Sequence, residues 1–242
     1  MKTKVLLSLS AAALVNAAQL SAAPQISSGA YAGVAAGVSV LGGKNELTLL
    51  HDAAGLAPQA VQNQASFSLS RASTAAMIFG GYGAKVSGFW LAGELFYQFD
   101  SLKNKQSPTF GAESGSILKS SSAGAYGASA HLGFFPADNC VVYAILGIET
   151  RGFKMQFSGP AALTSASINK RYTSVAFVPG VGTRFALTNN ISIRAEYKYA
   201  MHRSKTVSSS TSSANTPGQT DVAKIKYQPR IQSFNVGLVY NF

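Results

Sequence analysis

The chain has 242 residues and carries 20 Lys plus Arg against 9 Asp plus Glu, a formal charge of +11, yet only 12% of it is charged and 47% hydrophobic. A disordered basic tail would be more charged, a nucleic-acid-binding domain would cluster its Lys and Arg, and a helical membrane protein would show several apolar runs of about 20 residues. One cysteine, Cys140, excludes a disulfide framework and a cysteine-based zinc site.

The N-terminus reads as a secretory leader. Lys2 and Lys4 precede an apolar run from Val5 to Val15, and small residues follow from Ala17 to Ala23. The expected division is a signal peptide over 1–22, cleaved somewhere between 17 and 23, and a single mature domain over 23–242. Export would use the general secretory route, and a charge of +9 would remain on the mature chain.

Beyond the leader, side chains alternate in polarity with a period of two, which gives a strand one apolar and one polar face. Eight such segments fall at about 30–40, 74–84, 89–99, 122–134, 141–153, 173–187, 191–202 and 228–242. In 89–99, Phe89, Leu91, Leu95, Tyr97 and Phe99 oppose Trp90, Glu94, Phe96 and Gln98. In 191–202, Ile191, Ile193, Tyr197, Tyr199 and Met201 oppose Ser192, Arg194, Glu196, Lys198 and His202. Each segment reaches the 9–11 residues that a tilted transmembrane strand requires. Pro179, on the apolar face of the sixth, removes a ladder donor and predicts a local bulge.

The connections alternate long and short. The expected loops are 41–73, 100–121, 154–172 and 203–227, and the expected tight turns 85–87, 135–140 and 188–190, the last two rich in Asn, Asp or Pro. In the first loop, residues 46–61 with Leu47, Leu49 and Leu50 suggest a short helix. Even strand number with long loops on one side and short turns on the other is the pattern of outer-membrane barrels. A soluble eight-stranded barrel would show the same period with its apolar face inward. Two features favour the membrane form: the polar face mixes charges with Gly and Ser, and Tyr97, Phe99, Phe134, Tyr197, Tyr199, Tyr240 and Phe242 sit at the ends of the apolar face. The fold expected is therefore all-β, an eight-stranded antiparallel up-and-down transmembrane barrel.

The chain ends Asn235-Val-Gly-Leu-Val-Tyr-Asn-Phe242, and Asn235, Gly237, Tyr240 and Phe242 resemble the assembly signal read by the barrel-insertion machinery. With Gly93-Glu94-Leu95, Pro179-Gly-Val-Gly182 through Arg184, and Ile193-Arg-Ala-Glu-Tyr-Lys-Tyr199, the sequence resembles the eight-stranded OmpA-like and opacity-protein barrels of the bacterial outer membrane. The resemblance spans the mature chain and implies fold and location. The expectation is a barrel alone, without the periplasmic peptidoglycan-binding domain that some relatives carry, so a tethering role is not implied.

A barrel of eight strands has an interior that side chains fill. Glu94, Glu149, Arg151, Arg184, Arg194, Glu196 and Lys198 are the expected lumenal charges, three acids against four bases. Near balance favours a bridged plug over an ion path, because an unpaired buried ion costs several kcal/mol. The loops hold Lys44, Arg71, Lys103, Lys105, Lys119, Lys154, Lys170, Arg171, Arg203, Lys205, Lys224 and Lys226 against Glu46, Asp52, Asp100, Glu113 and Asp221, a net of about +7. These cations suit lipopolysaccharide phosphates, or anionic host molecules in an adhesin; without an aromatic platform they do not suit nucleic acid.

Of the histidines His51, His131 and His202, the last begins His202-Arg203-Ser204, similar in spacing to a lipid A deacylase, but its parity points it inward and no acid follows closely. Cys140 lies at a turn as an incidental thiol. The expectation is a monomeric surface protein with structural and adhesin-like roles, without catalytic, cofactor or metal residues. A narrow charged porin is the alternative and a lipid A-modifying enzyme a minor one.

Overall fold

The computed structural model describes residues 24–52, 63–106, 117–158, 167–212 and 220–242. The expected leader therefore lies outside the described residues. Nine strands follow in order: β1 (Gly29–Asp52), β2 (Asn63–Val86), β3 (Phe89–Gln106), β4 (Ile117–Ala137), β5 (Cys140–Ser158), β6 (Ser167–Ala186), β7 (Ile191–His202), β8 (Lys205–Ser212) and β9 (Thr220–Asn241). Neighbours pair antiparallel from β1 round to β7, β7 pairs with β9, and β9 closes on β1 from Tyr31↔Asn241 to Asp52↔Thr220. Closure leaves no free edge in the hydrocarbon layer, where an unpaired backbone group costs several kcal/mol.

β7 and β8 form one stave. β7 pairs with β9 as far as Met201↔Arg230, and β8 resumes at Lys205↔Tyr227. Four steps on one strand thus meet three on the other, so Arg203-Ser204 is a bulge. The barrel wall has eight staves. At the short-turn end, β2 and β3 join through Ser87-Gly88, both at positive φ (49° and 85°), the two-residue turn whose twist matches a hairpin.

The outer surface carries a belt of exposed apolar side chains, among them Val34, Ile78, Leu95, Leu132, Leu146, Val181 and Leu238. Phe89, Phe134 and Tyr240 edge it at the short-turn end, Tyr97, Phe99 and Tyr126 at the other. The strands do not stop at this edge. They continue through much of 41–73, 100–121, 154–172 and 203–227, which the sequence suggests are loops. Residues 46–52, expected in a short helix, belong to β1, and 53–61 lie outside the described residues. The cause is a reversal of polarity along each stave. In β5, Val142, Leu146 and Ile148 face out while Glu149 and Arg151 face in; beyond them, Phe153, Met155 and Phe157 face in while Lys154 and Gln156 are at the surface.

Above the apolar belt the wall divides. β2 pairs with β3 only from Ala75↔Asp100 downward, and β6 with β7 only from Ala176↔His202 downward. The extensions therefore form two four-stranded sheets, β2-β1-β9-β8 and β3-β4-β5-β6. Leu41, Val207, Ile225, Tyr227 and Ile231 from the first pack against Leu102, Leu118, Phe153, Met155 and Phe157 from the second.

Pro179 does not produce the expected bulge. β6 keeps one register with β7 from Phe177↔Met201 to Gly180↔Lys198, and Pro179 stays opposite Leu146 of β5. The ladder to β7 simply lacks the two rows at Val178 and Pro179, which is the local cost of the missing N–H.

Candidate functional site

Alternation brings charged residues of β3 and β7 together inside the barrel, with uncharged partners from β1, β2 and β5. Arg194 and Glu196 are two apart on β7 and share its inner face. Arg194 reaches Glu94 of β3 through Nη1 and Nη2 at 2.5 and 3.3 Å, and Nη1 lies 3.3 Å from Glu196. Lys198 Nζ sits 3.0 Å from Glu196. The hydroxyls of Tyr31 and Tyr143 donate to Glu94 and Glu196 at 3.2 and 2.9 Å. The arginine plane also lies over Phe79, its Cζ 3.2 Å from the ring centre.

A second group lies nearer the outer sheets. Arg151 donates to Asp100 at 2.6 Å and Glu149 at 3.3 Å, and Glu149 is 3.3 Å from His202 Nε2. Asp100, expected among the loop acids, thus faces inward: it continues the even-numbered inner face of β3 that contains Glu94 and Gln98. Arg184 stands apart from both groups. It donates to Ser192 (2.7 Å) and Asn241 (2.6 Å) and lies over the rings of Tyr31 and Trp90.

His131, hydrogen-bonded with Ser129 and stacked on Tyr143, joins Glu94 and Glu196 in a buried group whose ligand atoms lie within 4.8 Å. Arg194 and Lys198 already supply positive charge to those carboxylates, so the donor set suits a salt-bridge network better than a resident metal ion.

Buried apolar side chains are interleaved with these charged groups. Phe79, Trp90, Phe96, Tyr143, Ile145 and Val239 form one buried cluster with Ile26; Phe79 and Phe96 lie against Arg194 and Lys198, and Trp90 lies beside Arg184. Inward glycines make room for these rings: a Cβ on Gly182 would lie 2.6 Å from the Tyr143 ring, and one on Gly83 would collide with Trp90. Towards the outside lies the cluster around Phe153 and Tyr227. Burial pushes the Tyr227 hydroxyl up to about 12, against the lowering effect of its hydrogen bond from Ser120, so the cluster holds a neutral phenol.

His202 and Ser204, raised as a catalytic spacing, do not come together. His202 is buried edge-on against Phe153, while Ser204 is exposed in the bulge. His51 falls at the end of β1. Cys140 opens β5, its Sγ 3.7 Å from Thr183 Oγ1. At the C-terminus, Asn235 faces inward, Gly237 lies against Ala35, and Tyr240 and Phe242 face out with their rings 5.3 Å apart.

An outer membrane protein β-barrel domain matches residues 7–242. The chain belongs to this outer-membrane barrel family. Among solved structures, the barrel is similar to the outer membrane protease OmpT of Escherichia coli, at TM-score 0.50 and 11% identity over 93% of this chain and 99% of that one. It is also similar to the attachment invasion locus protein Ail of Yersinia pestis in complex with the heparin analogue sucrose octasulfate (0.40, 11%, 88% and 99%). Neisserial surface protein A gives 0.37 and 16% identity over 86% and 99%. No match was found among the curated proteins. These likenesses concern the fold. In an outer-membrane barrel the short turns face the periplasm and the long side faces outward, which puts the two sheets of this barrel outside the cell.

Proposed function

We propose that this barrel is a sealed, non-catalytic, monomeric scaffold that acts at the cell surface, adhesin-like, through its basic outer sheets. The observation that supports this most is the filling of the bore: ion pairs interleaved with buried aromatic rings, and beyond them the apolar cluster around Phe153 and Tyr227. Such a bore offers no continuous polar path, so specificity rests with the exterior, where Lys and Arg outnumber Asp and Glu. Residues 1–22 would direct export, and Asn235, Gly237, Tyr240 and Phe242 would be read by the insertion machinery.

Glu94→Ala and Glu196→Ala separate the plug from a narrow charged pore. Glu196→Ala leaves Lys198 without a carboxylate, and Glu94→Ala leaves Arg194 only Glu196, which Lys198 already shares, so each should lower unfolding stability by about 3–5 kcal/mol. Both variants should stay non-conducting in planar bilayers. Altered ion selectivity with unchanged stability would replace the plug by the pore. The adhesive part is tested by cell binding before and after Lys103→Gln, Lys119→Gln, Lys205→Gln and Lys226→Gln are combined on the outer sheets; equal binding would remove it.

A further inference from the structure

Cross-strand register aligns cations on one outer wall. Lys103 of β3 faces Ser121 of β4, which faces Lys154 of β5, which faces Arg171 of β6. At roughly 4.8 Å between strands, this row is about 14 Å wide. The next row towards the membrane, Ser101, Ala123, Gly152 and Thr173, has only small side chains. A Cβ on Gly152 would meet nothing within 4 Å. The two rows enclose a groove of about 510 Å³. Lys105 and Lys119 face each other one row farther out. The strand segments 101–106, 117–123, 152–158 and 167–173 contain six Lys or Arg and no Asp or Glu.

We propose that this wall of the β3–β6 sheet holds the phosphorylated headgroup of a multiply acylated outer-leaflet lipid, of the lipopolysaccharide kind. The order of groups down the wall supports a lipid over a soluble polyanion. Below the cations come hydroxyls, then Tyr97 paired with Tyr126 at the membrane edge. Below those, Gly93, Ala128, Ala130 and Leu146 line an outward groove of about 610 Å³ within the apolar belt. Phosphate, sugar and acyl chain thus each meet their own chemistry in sequence, on one face. The opposite sheet lacks this order: Glu46, Asp52 and Asp221 lie among its bases, and Lys226 sits 3.4 Å from Glu46. The inference depends on the outer-membrane placement and not on the adhesive reading.

The test uses the full mature barrel in nanodiscs doped with purified bisphosphorylated lipid A, with bound lipid read by native mass spectrometry and folding checked by heat-modifiable gel migration. Lys103→Gln, Lys154→Gln and Arg171→Gln together should weaken binding about a hundredfold, roughly fivefold per cation. Lys205→Gln, Lys224→Gln and Lys226→Gln on the opposite sheet should change it less than about threefold. Enzymatic removal of the lipid phosphates should weaken binding to the unmodified barrel about as much as the first triple. Gly93→Leu, which fills the lower groove from an open position, should weaken lipid A binding several-fold while leaving adsorption of a soluble heparin fragment unchanged. Equal losses from both triples, or indifference to dephosphorylation, would overturn the site. Unchanged lipid binding by Gly93→Leu, with heparin displacing lipid A, would overturn the lipid in favour of a soluble polyanion.

Discussion

The membrane half of each stave and its outer half obey opposite rules. In the membrane half Leu146 and Ile148 face lipid at 58% and 60% exposure, and the ion pairs are inside. In the outer half Phe153, Met155 and Phe157 are inside at 2% or less, and lysines face out. One backbone geometry serves both, and the solvent around the wall decides which parity is apolar. Closure differs too. Inside the membrane all eight seams are hydrogen-bonded; outside, where water can satisfy a free edge, two seams open and packing across the bore holds the sheets together.

Phe153 is where that packing is most concentrated. Its ring stacks on Tyr172 within its own sheet (5.5 Å) and meets Tyr227 of the other edge-on (6.0 Å). Phe153→Ala should cost about 3–5 kcal/mol, the largest of the three effects predicted from this contrast. Hydrogen exchange should accelerate in β5, β6 and β9 beyond the level of Tyr97 and Tyr126, with protection retained in the lipid-facing segments. Uniform loss of protection would mean that the two halves unfold as one unit and that the contrast has no energetic boundary.

A charge placed on the outer wall at two levels tests the same boundary from outside. Leu146→Lys, in the apolar belt, should lower stability by about 2–4 kcal/mol, since it puts an ammonium into hydrocarbon. Gln156→Lys, at the surface ten residues along the same strand, should stay within about 0.5 kcal/mol. Urea unfolding in lipid vesicles measures both. Similar costs at the two positions would place the outer half in lipid too.

The membrane half was legible in the sequence because lipid forces a strict alternation there, and the bulky apolar residues of 89–99 and 191–202 mark it plainly. The outer half was not, because its faces are exchanged: Ser and Lys on the wall of β4 and β5 read as loop composition, while the inward Phe153, Met155 and Phe157 look like stray hydrophobes. Asp100 shows the consequence within the site. Counting on by two from Glu94 and Gln98 would have sent it inward to Arg151, but a strand assumed to end at Phe99 hid it. Tyr31 and Tyr143 carry no charge pattern, so their hydrogen bonds to Glu94 and Glu196 could be seen only once the strands were placed. Pro179 misled in the opposite direction, since a proline can leave two rungs unmade without shifting the register.

Exchanging the faces requires no change of parity in β3 or β5, but β4 makes one. Below Gly124 its odd residues Ala125, Ser129 and His131 face inward; above it the even residues Leu118, Ser120 and Ser122 do. The register moves by one residue on both sides, between Gln98↔Ala125 and Ser101↔Ala123 and between Ala123↔Gly152 and Ala125↔Arg151. Gly124 makes the step at φ +60°, in the left-handed region, where a Cβ would approach Tyr97 Oη at 3.1 Å and the Gln98 carbonyl at 3.2 Å. Gly124→Val should therefore cost about 1–2 kcal/mol from backbone strain, and Gly124→Asn, whose side chain tolerates that region, distinctly less. The bulge also keeps Lys119 and Ser121 on the outer wall while Leu118 enters the apolar cluster. If Val were accommodated by removing the bulge, β4 beyond it would turn over, and cysteine labelling at Ser121 would fall as the position moved inside. Unchanged stability with unchanged labelling would show instead that the step does not depend on the glycine's left-handed conformation.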